Sequence, residues 1–144
     1  MITIQADTIY DKAVEFASFE AGRGVQDDAL YPALMINSRD REFIQSYAEH
    51  AMHLLGGALK FCIEEYDTAD NGDYTFSFRS DCTLGIKEKR TEKHLTEAMT
   101  AYVMSRWLDN KLAERAKAYA QMYADMTSIL VNSADRVRPR ITDV

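Results

Sequence analysis

A chain of 144 residues, 47% apolar and 28% charged, has the size and makeup of one ordinary globular domain, long enough to bury a core without metal or disulfides. Its formal net charge of −6 argues against free nucleic-acid binding, because an acidic chain displaces few phosphate counterions. No apolar run approaches the roughly 18 residues of a membrane span, and "MITIQADTIYDK" carries acid where a secretory leader needs basic residues and then an apolar stretch, so the chain is expected to start out in the cytoplasm.

Charge is unevenly spread. Residues 1–70 hold 13 acids and 5 bases, whereas residues 71–144 hold 10 acids and 12 bases. That division describes either an ordinary solvated surface or a molecule with two unlike faces, suited to packing head to tail against copies of itself. Cys62 and Cys82 have no metal-ligand spacing. In a reducing compartment they are expected as free thiols, with Cys62 packed in the core.

The first predicted element is a helix over 7–20, "DTIYDKAVEFASFE", with Ile9, Ala13, Phe16 and Ala17 on one stripe and Asp7 or Thr8 as its N-cap. Two glycines and a proline make "AGRGVQDDALYPALMINS" a loop. A long helix opens after Asn37-Ser38. Its stripe is Phe43, Tyr47, Ala51, Leu54, Ala58 and Cys62, widened by Ile44, Ala48, Leu55, Leu59, Ile63 and Tyr66. Gly56-Gly57 interrupts it and predicts close packing or a slight bend.

"DTADNGD" ends that helix in a turn. "YTFSFR" then alternates as a half-buried strand, with "CTLGIK" as its partner in a hairpin at about 73–87. A two-stranded hairpin is marginal alone, so it must lie on helices or add to a neighbour's sheet. A helix over 88–108 follows, with Leu95, Met99, Tyr102, Val103 and Trp107 inward, and Asp109-Asn110 breaks it. The last helix has Leu112, Ala116, Tyr119, Tyr123, Met126 and Leu130 along a near-heptad seam that pairs it with the preceding helix. The fold class is therefore mainly α: a bundle of about four helices over 1–133, a small β-hairpin between the second and third main helices, and an extended basic tail over 134–144.

Trp107, the only tryptophan, stands at the elbow of the helical hairpin, on the inward stripe. It reads as a core residue, with Tyr102, Tyr119 and Tyr123 in the same core, rather than as a contact for a partner. The tail alternates Arg136, Arg138 and Arg140 with Val137, Pro139 and Ile141. Proline excludes helix there. Such a segment either adds to a sheet edge or acidic groove or is a loose terminus.

Chemistry is sparse. His50 and His53 lie one turn apart beside Glu49, but no third ligand is nominated for a metal, so both read as surface or partly buried histidines. Asp67, Asn71 and Gly72 fit a calcium loop poorly, with Ala69 and Phe78 at ligand positions. Gly56-Gly57 has no following Lys-Ser or Lys-Thr, Glu64-Glu65 reads as a polar helix end, and no nucleophile motif surrounds any serine. The chain is read as no enzyme, with no catalytic residue, cofactor or metal.

"SRDREFIQSYAEHAMHLL", "YTFSFRSD", "AYVMSRWL", "AERAKAYAQMYADMTSIL" and the closing "RVRPRI", spanning 38 to 141, resemble a family of small, uncharacterised prophage proteins of gut anaerobes. Their layout is similar to that of the head–tail connector, or neck adaptor, proteins of long-tailed phages. The resemblance implies a helical bundle that assembles in the host cytoplasm into a ring of about twelve copies in the virion neck. Its partners are the portal, a tail-side neck or tail completion protein, and DNA passing through the lumen without sequence-specific binding. It also implies that Arg136, Arg138 and Arg140 dock on an acidic portal surface with Val137 and Ile141 as anchors, and that the acidic N-terminal half helps line a channel that repels DNA. The competing readings are a small helical protein-binding module or regulator and, behind it, a metal-dependent enzyme.

Overall fold

The structure, a computed structural model, describes residues 1–23 and 30–134. It is mainly α-helical. The elements are β1 (Ile2–Ile4), α1 (Ala6–Gly22), α2 (Leu30–Leu34), a 3-10 turn (Ser38–Asp40), α3 (Arg41–Ala58), β2 (Ile63–Thr68), β3 (Tyr74–Phe78), α4 (Thr83–Ile86), α5 (Glu88–Leu108) and α6 (Ala113–Ser133).

The centre of the bundle is α5, where every residue from Ala98 to Met104 is buried. An amphipathic surface helix hides one stripe; one covered all round must be packed on several sides, and α5 touches α1, α3, α4, α6 and β1. Its connection to α6 is a tight turn in which the Lys111 and Leu112 amides both donate to the Leu108 carbonyl at 2.9 Å. The predicted seam of α6 faces α5: Ala116, Tyr119 and Leu130 are buried, while Leu112, Tyr123 and Met126 pack half-buried against the core.

Three of the larger expectations are corrected. The long helix stops at Ala58 rather than continuing to Tyr66, and Ile63–Thr68 is a strand. Leu59, Cys62 and Ile63 are buried, so the apolar pattern is satisfied either way. What decides is "IEEYDT" pairing antiparallel with "YTFSF", Tyr66 opposite Phe76 and Thr68 opposite Tyr74. Within α3 the buried residues are Ile44, Ala48, Ala51, Met52, Leu55 and Gly56. Phe43 and Leu54 of the expected stripe are instead exposed. Gly56 marks the close approach: a methyl group there would overlap the Tyr66 ring.

The hairpin partner also differs. "CTLGIK" forms the helical turn α4, and β3 pairs with β2 on one side and with β1, unforeseen, on the other, in the order β1-β3-β2. "DTADNGD" is thus the turn between β2 and β3, closed by Ala69 N–H to Asp73 O at 2.7 Å, with Gly72 at φ +92°. Ile2, Ile4, Tyr74 and Phe76 are buried where the sheet lies on the helices. The N-cap of α1 is Gln5, and the Ala6 amide donates to Asp73 Oδ1 at 2.9 Å, so the turn, not Asp7 or Thr8, holds that helix end.

The third correction is chemical. Cys62 and Cys82, expected as free thiols, are paired as a disulfide with Cα atoms 5.8 Å apart, a separation ordinary for such a bond. The Arg79 amide donates to the Cys62 carbonyl at 2.9 Å, which brings the end of β3 beside the start of β2 and carries Cys82 to Cys62. Both residues are wholly buried.

Candidate functional site

Trp107 lies in the last turn of α5 and is 7% exposed. Its Nε1–H donates to the Leu34 carbonyl at 2.9 Å, so it anchors the α2 segment as well as the helical elbow. Lys111 stands over its ring at 4.0 Å and donates to the Trp107 carbonyl at 3.0 Å. Desolvation lowers the Lys111 pKa, with the Asp40 charge opposing. The indole also forms part of an open groove of about 510 Å³ shared with Pro32, Met35, Phe43 and Tyr47.

Tyr102 and Tyr119 are buried and Tyr123 half-buried. Tyr102 Oη lies 2.5 Å from His50 Nδ1, and its ring meets His50 and Tyr123 edge-on at 5.3 and 5.4 Å. Burial raises the Tyr102 pKa, with Arg106 opposing. His50 is thereby engaged by tyrosine, whereas His53 Nε2 lies 3.8 Å from Glu49. Among the described residues no group of three His, Cys, Asp or Glu side chains could hold a metal ion. Asn71 and Asp73 close their own turn through Asp73 N–H to Asn71 Oδ1 at 3.0 Å.

The deepest polar cluster escaped sequence reading. Glu20, 2% exposed on α1, accepts hydrogen bonds from Arg115 Nε and Nη2 and from Tyr119 Oη, each at 3.0 Å. Burial, then the bond to Glu20, pushes the Tyr119 pKa up to about 12. Hydrogen bonding to Glu20 raises that of Arg115. The signal was present, since Glu20 extends the stripe Ile9, Ala13 and Ala17 by one turn. A carboxylate on an apolar stripe needs a cation. Arg115 and Tyr119 lock α1 to α6, while Arg23 at the C-cap of α1 brings its Nη1 to 4.0 Å from Glu20 Oε1.

Arg136, Val137, Arg138, Arg140 and Ile141 lie outside the described residues. Their root does not. Thr83 Oγ1 donates to the Ser133 carbonyl at 2.5 Å, and Ala134 is buried against the core, so the bundle extends one residue further than the boundary at 133. Set against family models, curated proteins and solved structures, the chain matches none.

What the outside of the bundle offers is apolar surface. Phe16, Tyr119, Met122 and Met126 line a groove of about 350 Å³ between α1 and α6, with Lys12 and Glu97 at its rim. Met1, Leu54, Phe61 and Ile86 are exposed elsewhere. Among the described residues no helix is long and apolar enough to cross a membrane.

Proposed function

We propose that the chain is a structural, non-enzymatic adaptor that joins copies of itself into a ring between a phage portal and its tail and lets DNA pass. One observation carries this reading beside the resemblance. The deeply buried polar groups Glu20, Thr91 and Thr100 are hydrogen-bonded within the bundle, while large apolar side chains such as Phe43, Leu54, Ile86 and Met122 stand outside it. Exposed apolar surface of this kind is what subunits use to meet one another. The described bundle ends at a fixed root, Ser133 and Ala134, and on this reading Arg136, Arg138 and Arg140 of the following segment dock on an acidic portal surface.

The test is sedimentation and negative-stain electron microscopy of the purified chain, alone and with the portal protein of the same phage. Rings of about twelve copies are expected at least in the portal's presence, and deletion of residues 135–144 should abolish attachment while leaving unfolding cooperative. A compact two-fold dimer that ignores the portal sinks the proposal. The methionine-lined groove between α1 and α6 favours a second reading, a module that takes up a partner's amphipathic helix. On that reading Met122→Glu should abolish binding of the partner helix, and the wild type should form no rings with or without the portal.

A further inference from the structure

We infer that the two edges of the sheet are the contact between neighbouring copies, the acidic β2 edge of one against the basic flank of the next copy's β1 edge. The inference rests on the proposed ring, whose joints it assigns. Strand order β1-β3-β2 leaves β2 and β1 as opposite edges, about 10 Å apart at ordinary strand spacing, so they face different neighbours.

The β2 edge is acidic because of a local irregularity. Its register shifts between Ile63 and Glu65, so Glu64 and Glu65, consecutive residues that a regular pleat would send to opposite faces, are both exposed, as is Asp67. At the other edge the Met1 amino group lies 3.6 Å from Glu88 Oε1, which fastens the start of β1 to the first turn of α5. There Lys87, Lys89, Arg90 and Lys93 are all exposed. None of the four forms an ion pair among the described residues. Against Glu88 and Glu92 in the same seven residues, these four cations leave the flank with a net charge of +2 in a chain of net charge −6.

Each edge also carries apolar side chains suited to the centre of a joint. Met1 and Ile86 are exposed beside the cations; Phe61 is exposed just before β2, and Leu54 on α3, which packs against β2. Opposite charges on opposite edges suit a contact in which one surface meets a different surface of the next copy, the head-to-tail kind that generates a ring when its rotation closes. The occupant is therefore a second copy. Duplex DNA fits less well, since the rest of the surface repels it.

Charge exchange tests this. One variant carries Lys89→Glu and Lys93→Glu, the other Glu64→Lys and Glu65→Lys, and both are checked for native circular dichroism. By sedimentation velocity at low salt, or on the portal if the wild type assembles only there, each variant alone should associate at least about tenfold more weakly than wild type. Their equimolar mixture should recover, because reversed flank then meets reversed edge. Rings that persist unchanged in both variants overturn this joint and leave the ring standing. A wild type that stays monomeric alone and on the portal removes both. Failure of the mixture to recover, or loss of association matched by duplex binding to the basic flank, overturns the joint.

Discussion

Glu20 and Arg115, 95 positions apart in the chain, meet in a two-pronged ion pair at the junction of α1 and α6, with Arg115 Nε and Nη2 each 3.0 Å from a different carboxylate oxygen. The acid is 1% exposed at its side chain and the base 37%. Removing either partner of a buried pair costs about 3–5 kcal/mol, because the other charge is stranded. Here the cost is asymmetric. Arg115→Ala strands a carboxylate inside the protein, whereas Glu20→Gln leaves a guanidinium that can turn to water. Chemical denaturation should show a loss of about 3 kcal/mol for Arg115→Ala and a smaller loss for Glu20→Gln, reduced by solvent screening of the half-exposed arginine. Equal losses would refute the asymmetry.

Two tyrosines make stability fall in strong alkali. Burial, with the Glu49 and Asp73 charges adding to it, pushes the Tyr74 pKa up to about 12, and Tyr119 reaches about 12 beside Glu20. Both values exceed the unfolded phenol's, so the folded state holds these protons more tightly. Their contribution is complete below about pH 10 and is lost as pH rises through about 12. Phenolate absorbance of the folded protein should still be climbing above pH 11. A full tyrosine amplitude reached by pH 11, with helical circular dichroism intact, would contradict this placement.

The helical hairpin was readable because Leu95, Met99, Tyr102 and Trp107 on one helix and Ala116, Tyr119, Tyr123 and Leu130 on the other keep a helical period with no competing pattern. The region from Leu59 to Tyr66 was not, because its apolar residues suit a helix as well as a strand. The choice was made by Phe76 and Tyr74 across the sheet, a long-range pairing that local periodicity does not contain. The three residues of β1 were too few to show alternation. The charge asymmetry was visible in the numbers but not in space, since only the strand order sends Glu64 and Lys89 to opposite margins.

The adjacent glycines of α3 should respond oppositely to alanine. Gly57 has open space around an added methyl, so Gly57→Ala should stabilise by about 0.5–1 kcal/mol through helix propensity. Gly56 lies against the Tyr66 ring, and Gly56→Ala must displace it, with an expected loss of about 1–3 kcal/mol. The pair shares one helix turn and one substitution, so thermal midpoints measured side by side cancel most other effects. If Gly56→Ala is as well tolerated as Gly57→Ala, Tyr66 does not pack where β2 puts it.

The Cys62–Cys82 bond closes a loop with a sequence separation of 20 residues, for which chain-entropy arguments give about 3 kcal/mol of stabilisation. Its effect concentrates on α4, because Cys82 immediately precedes it and Thr83 holds the Ser133 carbonyl. Cys62→Ser combined with Cys82→Ser should therefore lower unfolding stability by about that amount and speed amide exchange first in residues 83–86 and 130–134. Thiol counting on protein denatured without reductant supplies the control. Two reactive thiols per chain, in protein prepared under oxidising conditions, would show that the fold brings the cysteines together without bonding them, and the predicted difference between native and double variant would then vanish.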